Sequence, residues 1–320
     1  MIRALAKRLP HPLLMRLHQR HQLAQQLALA RQISLHTGLP LLKTLELSPL
    51  KTSDTVFILG GGASINQISQ EKWKIIGEHD SIAMNFWLAH PFVPKIFLFE
   101  NIRPGEDLEL MFRVFHDLLD RRAFDYRNTV KIISELAPLS CRQLVLDVPK
   151  AFRPHLYIGH SANIVARDEK ELVAGIRYMI RQGAFEPRDH IAWHLKCGGS
   201  VLAALSMAVC MAYSRIILCG IDLGNAEYFY QDVEKYPEAS QWEFSPRNQP
   251  HPMARRFAWG LPLRVVIPEF KRYVLDPAGI ELFVENRSSA LFPGIPELPA
   301  DTLRLLAQMP AAKIHAEGLR

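Results

Sequence analysis

The chain has 320 residues, of which 48% are hydrophobic and 22% charged, a composition that builds a sizeable core and excludes a disordered or fibrous chain. Its net charge of +6 comes entirely from the first fifty residues, which hold seven Lys or Arg against Glu46 alone, while the remainder is balanced. A body without a basic stripe and interleaved aromatics excludes nucleic acid as the expected partner.

No apolar run reaches the roughly 18 residues of a membrane span. No apolar leader core or small-residue cleavage site follows Arg3, Lys7 and Arg8, so a cytoplasmic protein is expected. The cysteines Cys141, Cys197, Cys210 and Cys219 stand 56, 13 and 9 residues apart. That spacing fits neither a zinc motif nor CxxC, and they read as reduced thiols.

Residues 1–50 form a basic helical extension. Leu13, Leu14, Leu17, Leu23, Leu27 and Leu29 line one broad face, interrupted by Arg16, Arg20 and Arg31. Such a helix either lies on an anionic surface, here the inner membrane, or packs on the body or on a second copy in a homo-oligomer. Residues 51–230 read as an α/β domain. Thr55–Leu59 is a buried strand running into Gly60–Gly62, with a helix expected near Ser64–Ile76. Further strands are expected at Ser81–Met84, Lys95–Phe99, Val130–Ser134 and Arg215–Cys219, and helices at Glu169–Gln182 and Ser200–Tyr213. Residues 231–255 read as a lid, because 231–250 are polar, carry three prolines and show no apolar period. Residues 256–320 complete the α/β domain, with a last strand at Gly279–Val284. Apolar strands alternating with helices predict a parallel sheet covered on both faces.

Five places carry chemistry. The turn Gly60–Gly61–Gly62–Ala63–Ser64 ends the first strand, where backbone N–H groups approach a phosphate or ribose; it also serves as a plain strand-to-helix connection. Asn85 directly follows a buried strand at the ligand-binding edge, and its amide suits a nucleobase or a sugar, or caps a helix. Ser200 stands at the start of a small-residue helix as an N-cap, beside an N-terminus that favours an anion. Asp222 ends another buried strand and is followed by Tyr228 and Tyr230, whose hydroxyls can donate to a leaving phosphate; the three also read as a structural carboxylate and two half-buried aromatics. His251, held between Pro250 and Pro252, is suited to removing a proton near neutral pH.

Taken in order, these motifs resemble family 42 of the glycosyltransferases, the bacterial sialyltransferases of surface-glycan synthesis. The glycine turn, the Asn85 strand end, the Gly199–Ser200 turn with its alanine-rich helix, and Gly220–Ile221–Asp222 follow the family's sequence of motifs. So do Tyr230, His251 and the late run Glu285–Pro296, and the likeness spans about 55–298. It implies a Rossmann-like, GT-A-variant fold with a small lid subdomain. It also implies an inverting transfer of a sialic acid or related 2-keto sugar acid from its CMP-activated donor, CMP-sialic acid or CMP-Kdo, to a glycan or glycolipid acceptor of lipopolysaccharide or capsule. By this likeness Gly60, Gly61, Gly62, Ser64 and Asn85 hold the cytidine part. Ser200, Asp222, Asn286, Ser288 and Ser289 surround ribose, phosphate or carboxylate. Tyr228 and Tyr230 assist the departing phosphate, and His251 is the base. Neither a cofactor nor a metal is implied, since no DxD element follows a suitable strand. The chain departs from the family at Gly61, where an Asn is usual, at Gly224 in place of a tyrosine, and at Lys196 or Cys197 in place of an arginine.

Two readings of other classes stand beside it. A nicotinamide-dependent oxidoreductase needs an acid about 20 residues past the glycine turn; Asp80 has that distance but precedes the second strand. A non-catalytic glycosyltransferase-like scaffold shares every structural feature.

Overall fold

The computed structural model describes residues 11–104, 108–224, 227–239 and 260–308. Its strands are β1 (Thr55–Leu59), β2 (Asp80–Met84), β3 (Ile96–Glu100), β4 (Val130–Ser134), β5 (Leu156–Ile158), β6 (Ser161–Asn163), β7 (His194–Lys196), β8 (Arg215–Cys219) and β9 (Glu281–Val284). Helices of eight residues or more are α1 (His11–Thr37), α2 (Gln70–Gly77), α3 (Glu109–Arg121), α4 (Glu169–Arg181), α5 (Ser200–Cys210), α6 (Leu263–Phe270) and α7 (Ala300–Gln308).

Seven strands form one sheet in the order β5-β4-β3-β2-β1-β8-β9, and every pairing in it is parallel. Strands β6 and β7 make a separate parallel pair. The chain builds outward from β1 to β5, then returns to β8 on the other side of β1. That reversal is the Rossmann-like feature, and it opens a crevice at the carboxyl ends of the strands. Successive side chains of one strand feed opposite faces: Val56 and Ile58 enter one core, Phe57 and Leu59 the other. This is why the strands read as mostly apolar runs.

Helix α5 is buried from Val201 to Cys210, and Ala203, Ala204 and Ala208 let it approach β1 and β2 closely. It ends at Cys210, three residues short of the expected Tyr213, because Ala212 turns into the left-handed region at φ 56°. The expected helix at 64–76 is split into a 3-10 turn, Ala63–Gln67, and α2. Ser69 starts the second piece by accepting from the Lys72 amide, so a local cap overrides a continuous pattern.

Of the two readings of the N-terminal helix, the described part packs on the body. Ala30 and Ile33 are fully buried, and the helix meets β5 and β6. Arg20 Nε donates to the Tyr178 hydroxyl at 3.2 Å. After residues 240–259 the chain rejoins the same sheet, with β9 beside β8. Of the expected lid, residues 231–239 lie against the body, Tyr236 and Ala239 being buried; 240–255 lie outside the described residues. The four cysteines are free thiols, and burial pushes Cys197 up to about 12 and Cys210 up to about 11. Among the described residues no helix is long and apolar enough to cross a membrane.

Candidate functional site

At the reversal between β1 and β8 lies a cavity of about 370 Å³. Its wall comes from the residues after β1, β2, β3 and β8 and from the first turn of α5. Eight sequence-selected residues meet there: Gly60, Gly61, Gly62, Asn85, Ser200, Asp222, Tyr228 and Tyr230. Ser64, Asn286, Ser288 and Ser289 are not among its lining residues. His251 lies outside the described residues.

The glycine turn interlocks with the turn after β8. Gly62 N–H donates to Gly220 O at 2.8 Å, and Gly60 N–H to Cys219 O at 2.8 Å. A Cβ on Gly62 would fall on the Asp222 carboxylate, so glycine is required there by packing alone. Asp222 accepts the Ser64 amide at 2.9 Å and the Ser64 hydroxyl at 2.5 Å. Both Ser64 donors thus go to Asp222, and Ser64 closes the turn without lining the cavity. The amides of Gly60, Gly62 and Ser64 are thereby engaged inside the protein. What the turn offers the cavity is close backbone approach, not a ring of free donors.

Asn85 sits at φ 54°, a left-handed conformation that Asn tolerates better than most residues. It does not cap a helix. Its Nδ2 donates to Ser200 Oγ at 3.2 Å. Ser200 is likewise not the N-cap of α5: Gly199 holds that position, and the Ser200 hydroxyl donates to Glu100 Oε1 at 2.5 Å. Glu100 Oε2 stands 3.0 Å from Lys196 Nζ, which also pairs with Glu135 Oε1 at 3.4 Å. The N-terminus of α5 still opens on the cavity through Gly199, Ser200 and Val201, where its dipole favours negative charge.

Tyr228 and Tyr230 form one stack, 5.1 Å between centroids and 17° between planes. Phe86 continues it on the far side of Tyr230 at 5.1 Å. Burial raises both phenols well above their ordinary range. They therefore stay protonated near neutral pH and act as hydrogen-bond donors. The side chains of Asn286, Ser288 and Ser289 are engaged locally. Asn286 Oδ1 accepts the Ser288 amide at 2.7 Å, an Asx-type turn. The Ser289 hydroxyl donates to Ile221 O at 2.7 Å, and Ala290 N–H to Asp222 O at 2.6 Å. These residues brace the Gly220–Asp222 turn that floors the cavity.

Three charged residues that line the cavity escaped the sequence reading: Glu100, Arg103 and Glu227. Glu100 ends β3 as Asn85 follows β2, the same signal of a polar residue closing an apolar run. Arg103 is exposed and lines the cavity, offering a cation to an anionic ligand. Asp80, by contrast, starts β2 at the opposite edge of the sheet. Among the described residues no group of three or more His, Cys, Asp or Glu is placed to hold a metal ion. In comparisons with known proteins, no family model and no curated sequence matches this chain.

Proposed function

We propose that the chain is an inverting glycosyltransferase, a GT-A variant, that moves a sialic acid or related 2-keto sugar acid, Kdo included, from its CMP-activated donor to a glycan or glycolipid acceptor. The observation that carries this reading is the gathering of the glycine turn, Asn85, Ser200 and the tyrosine pair around one cavity at the sheet's carboxyl edge. These residues are up to 170 positions apart in sequence, and open parallel sheets bind nucleotides at this edge. In the proposed reaction the acceptor hydroxyl attacks the anomeric carbon and the bond to the phosphate oxygen breaks on the opposite face. The acceptor proton passes to His251, and the protonated Tyr228 and Tyr230 donate to the departing phosphate. Fixed donors aimed at developing negative charge are an effective catalytic device, and Arg103 and the α5 N-terminus add to them.

The oxidoreductase reading loses its required acid. The Asp80 carboxylate lies away from the cavity and is held by Thr52, Lys95 and Tyr213. The test is thermal stabilisation by CMP against NAD, followed by transfer assays. His251→Ala is expected to keep the CMP shift and lose most transfer. Full transfer by that variant eliminates His251 as the base, and stabilisation by NAD alone overturns the reading.

A further inference from the structure

The hydrogen bonds around Asn85 have a direction. Glu100 is an ion-paired carboxylate, so toward Ser200 it only accepts. Ser200 has one hydrogen, and it goes to Glu100. Toward Asn85 the serine oxygen is therefore left as an acceptor, and the amide must present its NH2 to it, as observed at 3.2 Å. The Asn85 carbonyl oxygen is then turned away from Ser200, and no donor among the described residues takes it. If the amide were reversed, two oxygens would face each other across that contact. Lys196 fixes the far end of the chain, its ammonium held between Glu100 and Glu135 and mostly buried at 17% exposure. Glu135 reaches it from a left-handed residue, φ 62°, a conformation that costs free energy and collects at functional sites.

We propose that Lys196, Glu100 and Ser200 are positioning residues that lock the Asn85 amide in one orientation, and that this lock makes the site select cytosine over uracil. The inference rests on the reading that Asn85 meets the base of a CMP donor. Cytosine carries a 4-amino donor where uracil carries a 4-oxo acceptor. A free asparagine satisfies either by turning its amide through half a revolution. A locked one presents its carbonyl oxygen to the 4-amino group and opposes the 4-oxo group. An unsatisfied or opposed polar pair of this kind corresponds to roughly tenfold in affinity or more.

The polarity of the relay gives a test that simple loss of structure does not mimic. In Glu100→Gln, Lys196 retains the amide oxygen, so the new NH2 faces Ser200. The serine then accepts from residue 100, its hydrogen turns to Asn85, and the Asn85 amide reverses. CMP and UMP affinities are measured by calorimetry on the wild type, Glu100→Gln and Ser200→Ala, with melting curves on each. The expected result is a wild-type preference for CMP of roughly tenfold. That preference disappears in Ser200→Ala and is reversed in Glu100→Gln, with UMP binding more tightly than to wild type. An unchanged CMP-to-UMP ratio in both variants overturns the relay while leaving the CMP reading in place. Equal weakening of both ligands means a structural role alone and also overturns it. A wild type that binds neither, or both alike, overturns the reading and the relay together.

Discussion

Asp80 separates a structural carboxylate from a nucleotide-binding one. It is 1% exposed and accepts five hydrogen bonds: Thr52 N at 2.7 Å, Thr52 Oγ1 at 2.6 Å, Ser53 N at 3.0 Å, Lys95 Nζ at 2.8 Å and the Tyr213 hydroxyl at 2.9 Å. Burial alone would raise its pKa, but the contacts from Lys95 and Thr52 outweigh burial and hold it below the ordinary value. In Asp80→Asn one acceptor oxygen becomes NH2 and meets donors on every side. Breaking one partner of a buried ion pair costs about 3–5 kcal/mol. Lys95 is 29% exposed and can swing toward water, so the low end applies, about 3 kcal/mol. For a chain of this size that corresponds to a fall in Tm of roughly 6 °C. The assay is a melting curve with and without CMP. The variant should lose that stability and keep the wild-type CMP affinity, because Asp80 lies at the edge of the sheet opposite the cavity. An unchanged Tm, or a loss of nucleotide binding in a stable variant, refutes this reasoning.

Other expectations follow from the same geometry. Gly62→Ala should cost about 1–3 kcal/mol and weaken CMP binding, since the new methyl displaces the Asp222 carboxylate from Ser64; urea titration and calorimetry check both. The double variant Tyr228→Phe, Tyr230→Phe keeps the ring stack, so stability should hold while transfer falls about a hundredfold; unimpaired transfer removes the tyrosines from the mechanism. Burial, with Arg122 and Arg31 nearby, lowers His90 and His160 to about 4, and burial with Lys196 lowers His194 to about 3. Their folded-state values lie below the unfolded 6.5, so the unfolded chain binds more protons in acid and stability falls as pH drops from 6.5 toward 4. At roughly 1.4 kcal/mol per pK unit, His90 alone contributes on the order of 3 kcal/mol. A urea midpoint that is the same at pH 7 and pH 4.5 contradicts this.

The sheet was legible where its strands are five residues long and buried along nearly their whole length. β1, β4 and β8 fall where the apolar runs predict, because strands covered on both faces are mostly apolar, the buried Lys131 of β4 being an exception. β5, β6 and β7 were not legible, since three residues are too few to show a period. Helix α3 carried a signal as clear as that of α4, with Phe112, Phe115 and Leu118 three apart and Leu119 beside them, all buried; it is absent from the expected elements although its pattern is plain. Asn85 and Asp222 were legible because a polar residue at the end of a buried strand has one edge of the sheet to occupy. Which partner each side chain takes was not legible. Asp222 binds Ser64 across 158 positions and Ser200 binds Glu100 across 100. Local spacing carries no information about such pairings, so Ser64 read as a ligand contact and Glu100 did not register.

The most direct measurement is a panel of CMP-activated sugars, CMP-sialic acid and CMP-Kdo among them, incubated with the protein and glycan acceptors and followed by mass spectrometry. The account predicts release of CMP from at least one donor, with the sugar acid appearing on an acceptor in inverted configuration. A correctly folded protein that neither hydrolyses nor transfers any donor of the panel contradicts it and leaves the fold in the role of a scaffold.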